Sequence, residues 1–258
     1  MEKKKVSSLF CVIKYIVGKI YPKMEIRNLQ NLPNEPVIIV GNHTQLHSPV
    51  ACELYFNDNY YTWCAAQMMH LKEVPSYAFE DFWSKKPKWT HCFYRLLAYL
   101  IAPLSVVIFN NARTIAVHRD IKIISTFKNT IKILNQGGSV IIFPEHDVKH
   151  NNIVYDFQQN FVDVAKLYYK KTGKEIKFVP MYVAPNLKGM YLGKSVSFCA
   201  DNPIEEERKR ICQYLMAEIT DIARNLPEHR VVPYRNISKK YYPLNTDSEV
   251  EYSAKTDC

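Results

Sequence analysis

Apolar residues fall along this chain in two kinds of run. Short continuous ones, Val37-Ile38-Ile39-Val40 and Val140-Ile141-Ile142-Phe143, are what parallel strands covered on both faces require. Between and after them the spacing becomes helical. From Asp120 onward, Ile121, Ile124, Phe127, Ile131 and Leu134 fall mostly on one side, and Gly137-Gly138 stops the helix before the strand that starts at Ser139. With Thr114 to His118 as a strand before it, this is a β-α-β unit, so its two strands are expected to be parallel and its crossover right-handed. Phe157, Phe161, Val164, Ala165 and Tyr168 predict another helix, closed by Lys170, Lys171 and Gly173. Lys177 to Val183 reads as a strand whose Pro180 predicts an edge or a bulge, and Val196 to Cys199 as one more. Asp201-Asn202-Pro203 precedes a helix with Glu205, Glu206 and Glu207 in its first turn and Ile211, Leu215, Ile219 and Ile222 on its inner face. Strands alternating with helices predict an α/β fold with a mostly parallel sheet flanked by helices.

Two segments look amphipathic or apolar enough for a membrane surface. Leu9, Val12, Ile13, Ile16 and Ile20 share a face, with Lys14 and Lys19 beside it and Lys3-Lys4-Lys5 before it. The run is too short and too interrupted to span a bilayer, so it reads as a helix lying on an anionic leaflet or packed on the domain. Leu96 to Ala112 carries no charge, yet its rise of roughly 25 Å falls short of the ~30 Å hydrocarbon core. Pro103 in its middle predicts a break, giving a monotopic hairpin-like element or a core helix followed by a core strand. Residues 1–23 are thus expected to form a membrane-associating helix, 24–235 the α/β domain and 236–258 a loose polar tail.

Composition narrows the partner. The 258 residues are 47% apolar and 23% charged, with a net charge of +9. That favours an anionic partner such as phospholipid, coenzyme or acyl carrier protein, and no nucleic-acid-binding motif accompanies the charge. Only 7 glycines occur, and neither GxGxxG nor a P-loop is among them. The 7 cysteines are odd in number, scattered and without CxxC, which fits a reducing, cytoplasmic compartment.

Candidate chemistry sits in two blocks, Asn42 to Pro49 (NHTQLHSP) and Phe143 to Asn151 (FPEHDVKHN). Each follows a strand that reads as parallel, and ligands bind at the carboxyl ends of such strands. The blocks spell HxxxH twice, His43 with His47 and His146 with His150. Were they to meet with Glu145 and Asp147, a metal-dependent hydrolase would be possible. Ser48 as a nucleophile has no GxSxG elbow around it.

Asn42-His43, Ala116-Val117-His118-Arg119, Phe143-Pro144-Glu145 and Val179-Pro180, in that order, resemble the motifs of the glycerolipid acyltransferase family, typified by lysophosphatidic acid acyltransferase. The ordered likeness runs from about residue 24 to residue 225. It implies an acyltransferase fold and a reaction that moves a fatty acyl group from acyl-CoA or acyl-carrier protein to a lysophospholipid hydroxyl. His43 would be the general base, as a histidine's pKa near working pH suits. No cofactor is implied beyond the thioester co-substrate. Asn42, Pro144 and Glu145 would shape the acceptor site, and Arg119 would contact phosphate. The chain departs from the pattern where the family's orienting Asp becomes Ser48, with Glu145 and Asp147 the nearest candidates to replace its charge, where its Gly becomes His146, and where its arginine becomes Val148, with Lys149 next to it to supply the positive charge. Ser48 would then act beside His43 in catalysis, and His146 and Lys149 would join the substrate contacts. The family thus implies a peripheral enzyme on the cytoplasmic membrane face. The departures leave open a catalytically weakened member that binds lipid or acyl carrier.

Overall fold

The computed structural model describes residues 6–84, 86–118 and 122–247. Its strands are β1 (Glu25–Arg27), β2 (Val37–Gly41), β3 (Tyr60–Ala65), β4 (Thr114–Val117), β5 (Ser139–Ile142), β6 (Glu145–Lys149), β7 (Tyr155–Phe157), β8 (Lys177–Ala184), β9 (Gly189–Leu192) and β10 (Val196–Ser197). Its α-helices are α1 (Ser8–Ile20), α2 (His47–Tyr55), α3 (Val74–Ala78), α4 (His91–Asn111), α5 (Ile123–Asn135), α6 (Asp163–Thr172) and α7 (Ile204–Arg224). The main sheet runs β1-β9-β8-β2-β5-β3-β4, and β10 pairs with β8. Within that sheet, as described, only the β8–β9 and β8–β10 pairings are antiparallel, and β6 and β7 form a separate antiparallel pair. The fold is therefore α/β with a mixed, mostly parallel sheet, as expected.

β2 is fully buried because both its faces are covered, which its unbroken apolar run requires. One core holds Ile38, Val40, Val140 and Ile142 with the inner faces of α5, α6 and α7. The other holds Val37, Ile39, Ile141 and Val179 with Ala51 and Cys52 of α2. β4 and β5 both run parallel to β3, which lies between them, so the β-α-β unit has its expected orientation. Gly137 turns left-handed at φ 85°, as the helix stop after α5 needs.

Several expectations need correction. β8 is interior, lying between β2 and β9, although it contains Pro180. The Pro180 carbonyl accepts from the Gly193 N–H at 2.8 Å. The proline nitrogen faces that same side, where β10 pairs only with Lys177 and Phe178 and β9 pairs from Met181 onward. The missing donor thus falls in a gap between two partners. Likewise α4 runs as one continuous helix through Pro103, which lies on its exposed side. The Asp120 helix start and Arg119 lie outside the described residues. Phe157 belongs to β7, and the helix after it begins at Asp163 behind a 3-10 turn. The strand at Val196 ends at Ser197.

Both ends of the described part of the chain are packed. α1 buries Phe10, and Lys14 Nζ reaches Glu53 Oε1 at 2.5 Å. Glu53 also accepts the Arg113 backbone N–H at 3.1 Å, joining α1 and α2 to the residue just before β4. Leu9, Val12, Ile16 and Ile20 face outward. The polar tail expected after Tyr242 is packed as far as Asp247. Asn245 is buried because its amide caps carbonyls of Ala223 and Leu226 while its oxygen accepts the His229 N–H.

Gly41 closes β2 where a side chain would not fit. A Cβ there would lie 2.9 Å from Phe143 Cε1 and 3.2 Å from the Met181 carbonyl oxygen. Gly41→Ala is expected to destabilise the protein by about 1–3 kcal/mol in chemical denaturation, because the backbone oxygen cannot swing aside. An unchanged midpoint would show that β2 and β8 separate freely at this end.

Candidate active site at the carboxyl ends of β2 and β5

β2 and β5 are direct parallel neighbours, so residues just past Gly41 and Ile142 emerge on one edge. Asn42 begins the turn. Its side-chain oxygen accepts the Val183 N–H at 2.7 Å and its amide donates to the Val183 carbonyl at 3.2 Å. This buried pair fixes the turn to β8 and occupies the side chain expected to meet substrate. Gln45 then takes a left-handed conformation, φ 54°, which turns the chain into α2.

Glu145 joins the two blocks. Its carboxylate accepts the His43 backbone N–H at 2.5 Å and the Tyr155 N–H at 2.6 Å. A carboxylate buried with two amide donors is a well-satisfied acceptor. Burial nonetheless pushes its pKa up to about 8, against the pull of the Tyr155 and His43 N–H groups. Pro144 is buried beside it, and its carbonyl accepts from Gln158 at 2.9 Å.

His43 is half-buried between rings, edge-on to Phe143 at 5.7 Å and to Tyr234 at 5.8 Å. Its Nδ1 is buried and has no hydrogen-bond partner. Burial pulls its pKa down to about 4, so the ring is neutral at pH 7. The Ser48 hydroxyl does not serve that nitrogen. It donates to the Asn42 carbonyl at 2.9 Å, lies 2.6 Å from the Thr44 hydroxyl, and accepts the Thr44 N–H at 3.2 Å. Ser48 therefore closes the turn. The other substitute acids do not serve it either. Glu145 holds the backbone of His43, and Asp147 pairs with Arg235.

Comparison with known proteins finds no matching family model and no matching curated protein. Among solved structures, the chain is similar to the 1-acyl-sn-glycerophosphate (LPA) acyltransferase PlsC from Thermotoga maritima. Identity is 14%, the match covers 85% of this chain and 81% of that one, and the TM-score is 0.48.

The HxxxH pairs do not converge. His43 precedes α2 while His47 begins it, and His47 Nδ1 lies 3.2 Å from the Tyr21 hydroxyl. His146 pairs across the β6–β7 hairpin with Asp156 at 3.5 Å. Among the described residues no three of His, Cys, Asp and Glu gather as a metal set. Lys149, expected to replace the missing arginine, donates to Asn152 Oδ1 at 2.6 Å on the hairpin turn.

The segment after α7 supplies residues that spacing alone does not reveal. Tyr234 packs on both His43 and Tyr155, and Arg235 grips Asp147 of β6. The Gln45 amide donates to the Arg235 carbonyl at 3.3 Å and to the Tyr242 hydroxyl at 3.1 Å. The apolar run Val231-Val232-Pro233-Tyr234 was the available signal that this segment packs rather than trails.

Proposed function

We propose that this protein transfers a fatty acyl group from an acyl thioester to a hydroxyl of a lysophospholipid or related acceptor, with His43 as base. One observation carries the reading. Glu145 of the second block holds the backbone of His43 in the first, at the carboxyl ends of adjacent parallel strands. That brings a histidine ring, an apolar wall of Phe143 and Tyr234, and a cation at Arg235 to one edge. The His43 Nε2 lone pair would take the acceptor hydroxyl proton as the oxygen attacks the thioester carbonyl. Collapse of the tetrahedral intermediate then forms the ester, breaks the C–S bond and lets the thiolate recover the proton. The donor is acyl-CoA or acyl-carrier protein, and the acceptor is presented at an anionic membrane on its cytoplasmic side.

A second reading is favoured by the bare Nδ1. For Nε2 to act as base, the ring's proton must sit on Nδ1, where no acceptor meets it. A buried donor without a partner costs about 1–3 kcal/mol, so the other tautomer is preferred and the base is weakened. A member of this fold that binds lysolipid or acyl carrier without turnover fits that feature.

The test supplies labelled acyl-CoA or acyl-carrier protein with a panel of lysophospholipids in mixed micelles. Turnover is expected, slow, and lowered at least about 10²-fold by His43→Ala. Equal turnover in the variant would remove His43 from the chemistry. Binding of lysolipid or carrier without turnover from any donor–acceptor pair would establish the second reading.

A further inference from the structure

Among the described residues nothing covers the outer face of α4. Phe93, Leu96, Leu100 and Leu104 form a stripe at helical spacing, with Tyr99 beside it, and all five are exposed, Leu100 by 69%. Trp89, in the turn just before the helix, is 86% exposed. The stretch Lys88–Asn111 is long and apolar enough to cross a membrane, and only 17% of its most apolar part is buried. An exposed apolar surface of this extent marks a contact site.

Chemistry at the rim indicates what covers it. From residue 86 to residue 111 the sequence carries Lys86, Lys88 and Arg95 and no carboxylate. Tryptophan with lysine and arginine at one end of an apolar stripe is the composition of a membrane interface. α1 repeats the pattern, with Lys19 and no acid among its outward Leu9, Val12, Ile16 and Ile20, its Lys14 being paired with Glu53. The two helices meet where the Ser7 N–H donates to Asn111 Oδ1 at 2.9 Å.

The inner face decides the orientation. Ala98, Ala102 and Ser105 are buried, and Ala102 packs with Val74 and Ala78 of α3. Ser105 Oγ donates to the Met68 carbonyl at 3.3 Å and Asn110 Nδ2 to that of Met69 at 2.9 Å. Three residues after α4 the chain enters β4 of the central sheet. A helix held along its length in this way cannot stand upright through a bilayer.

We propose that α4 lies flat in an anionic phospholipid leaflet, with its Phe93–Leu104 stripe among the acyl chains and Trp89, Lys86 and Lys88 at the headgroups. The contact is separate from the transfer reading, since it can be present without turnover and turnover can be measured without it.

The experiment compares full-length protein with Leu96→Ser/Leu100→Ser by flotation on phosphatidylcholine vesicles with and without phosphatidylglycerol. Thermal melting checks the fold and light scattering the oligomeric state. Wild type is expected to float with phosphatidylglycerol vesicles, and the double variant to lose more than about tenfold in partitioning while melting unchanged. A bromine-labelled acyl chain is expected to quench wild type, and less so Trp89→Phe. Equal flotation of the double variant and wild type would overturn the proposal. So would failure of wild type to float, including the case of a stable dimer that the double variant disperses. Should Leu96→Ser/Leu100→Ser melt lower, the quenching difference at Trp89 decides in its place, and its absence overturns the proposal.

Discussion

If the protein transfers acyl groups as proposed, Ser48→Asp is expected to raise that rate by roughly 10³-fold. The orienting carboxylate of a histidine base is worth roughly 10⁴ when its charge is removed in a serine protease. Here the His43 Nδ1 is buried and unpartnered, while the Ser48 hydroxyl is taken up by Asn42 and Thr44. The gain in rate requires the aspartate side chain, one bond longer than serine, to extend beyond that turn to Nδ1. Its carboxylate would hold the proton on Nδ1, leave Nε2 free as base, and stabilise the imidazolium that forms. The same substitution should raise the His43 pKa from about 4, because a negative charge opposes the burial that lowers it. Titration of the ring by NMR and initial rates together check this. A raised pKa with no gain in rate would mean that the histidine is not the limiting element of the site.

Glu145→Ala should cost about 2–5 kcal/mol of stability, since it strands two amide donors, those of His43 and Tyr155. It should also free the β2 turn from the β6–β7 hairpin, so that the two motif blocks lose their register. A conservative change isolates the charge. The folded carboxyl, raised to about 8, binds its proton more tightly than the same group at 4.5 in the unfolded chain. Between those values the unfolded chain releases the proton first, so stability is greatest at low pH and falls as pH rises, by at most ~1.4 kcal/mol per unit. His43 acts with the opposite sign. Its folded pKa is lowered from 6.5 to about 4, so its contribution is present above 6.5 and lost as pH falls. Above pH 6.5 only the glutamate slope is left of these two, and Glu145→Gln should flatten it. Denaturant midpoints between pH 6.5 and 8 that fall equally in both proteins would place the slope elsewhere.

How much of this was legible depended on what each residue had to do. β2 and β5 announce themselves because burial on both faces demands unbroken aliphatic runs. β3, Tyr60-Tyr61-Thr62-Trp63-Cys64-Ala65, does not, since its half-buried positions mix aromatic and polar residues without alternation. β6 is hidden for a similar reason. Glu-His-Asp-Val-Lys has no apolar face, and only the hairpin with β7 extends it. The prolines misled because what each disturbs depends on its place in the folded chain. Pro180 meets a gap between strands and Pro103 faces outward, and neither direction is written in the spacing. In the site, convergence of the two blocks follows from parallel strands. That Glu145 would hold a backbone amide instead of the ring does not follow, because spacing places residues and not their individual atoms. Tyr234 and Arg235 lie about 190 positions from His43 and carry no motif, so only the folded chain brings them there.

The position of β2 has a consequence for how the molecule is made. Its two neighbours, β5 and β8, begin at Ser139 and Lys177, far downstream of Gly41. A ribosome adding roughly 5–20 residues per second therefore leaves this wholly apolar strand without its second partner for on the order of ten seconds. The clasp from Tyr234 to Tyr242 over the Gln45 turn comes later still. Long-range pairing of this kind is slow and leaves an unpaired edge open to other chains in the meantime. Expression at lowered temperature, or with a chaperone that shields nascent apolar strands, should therefore improve the soluble yield of this chain more than changes to its finished surface.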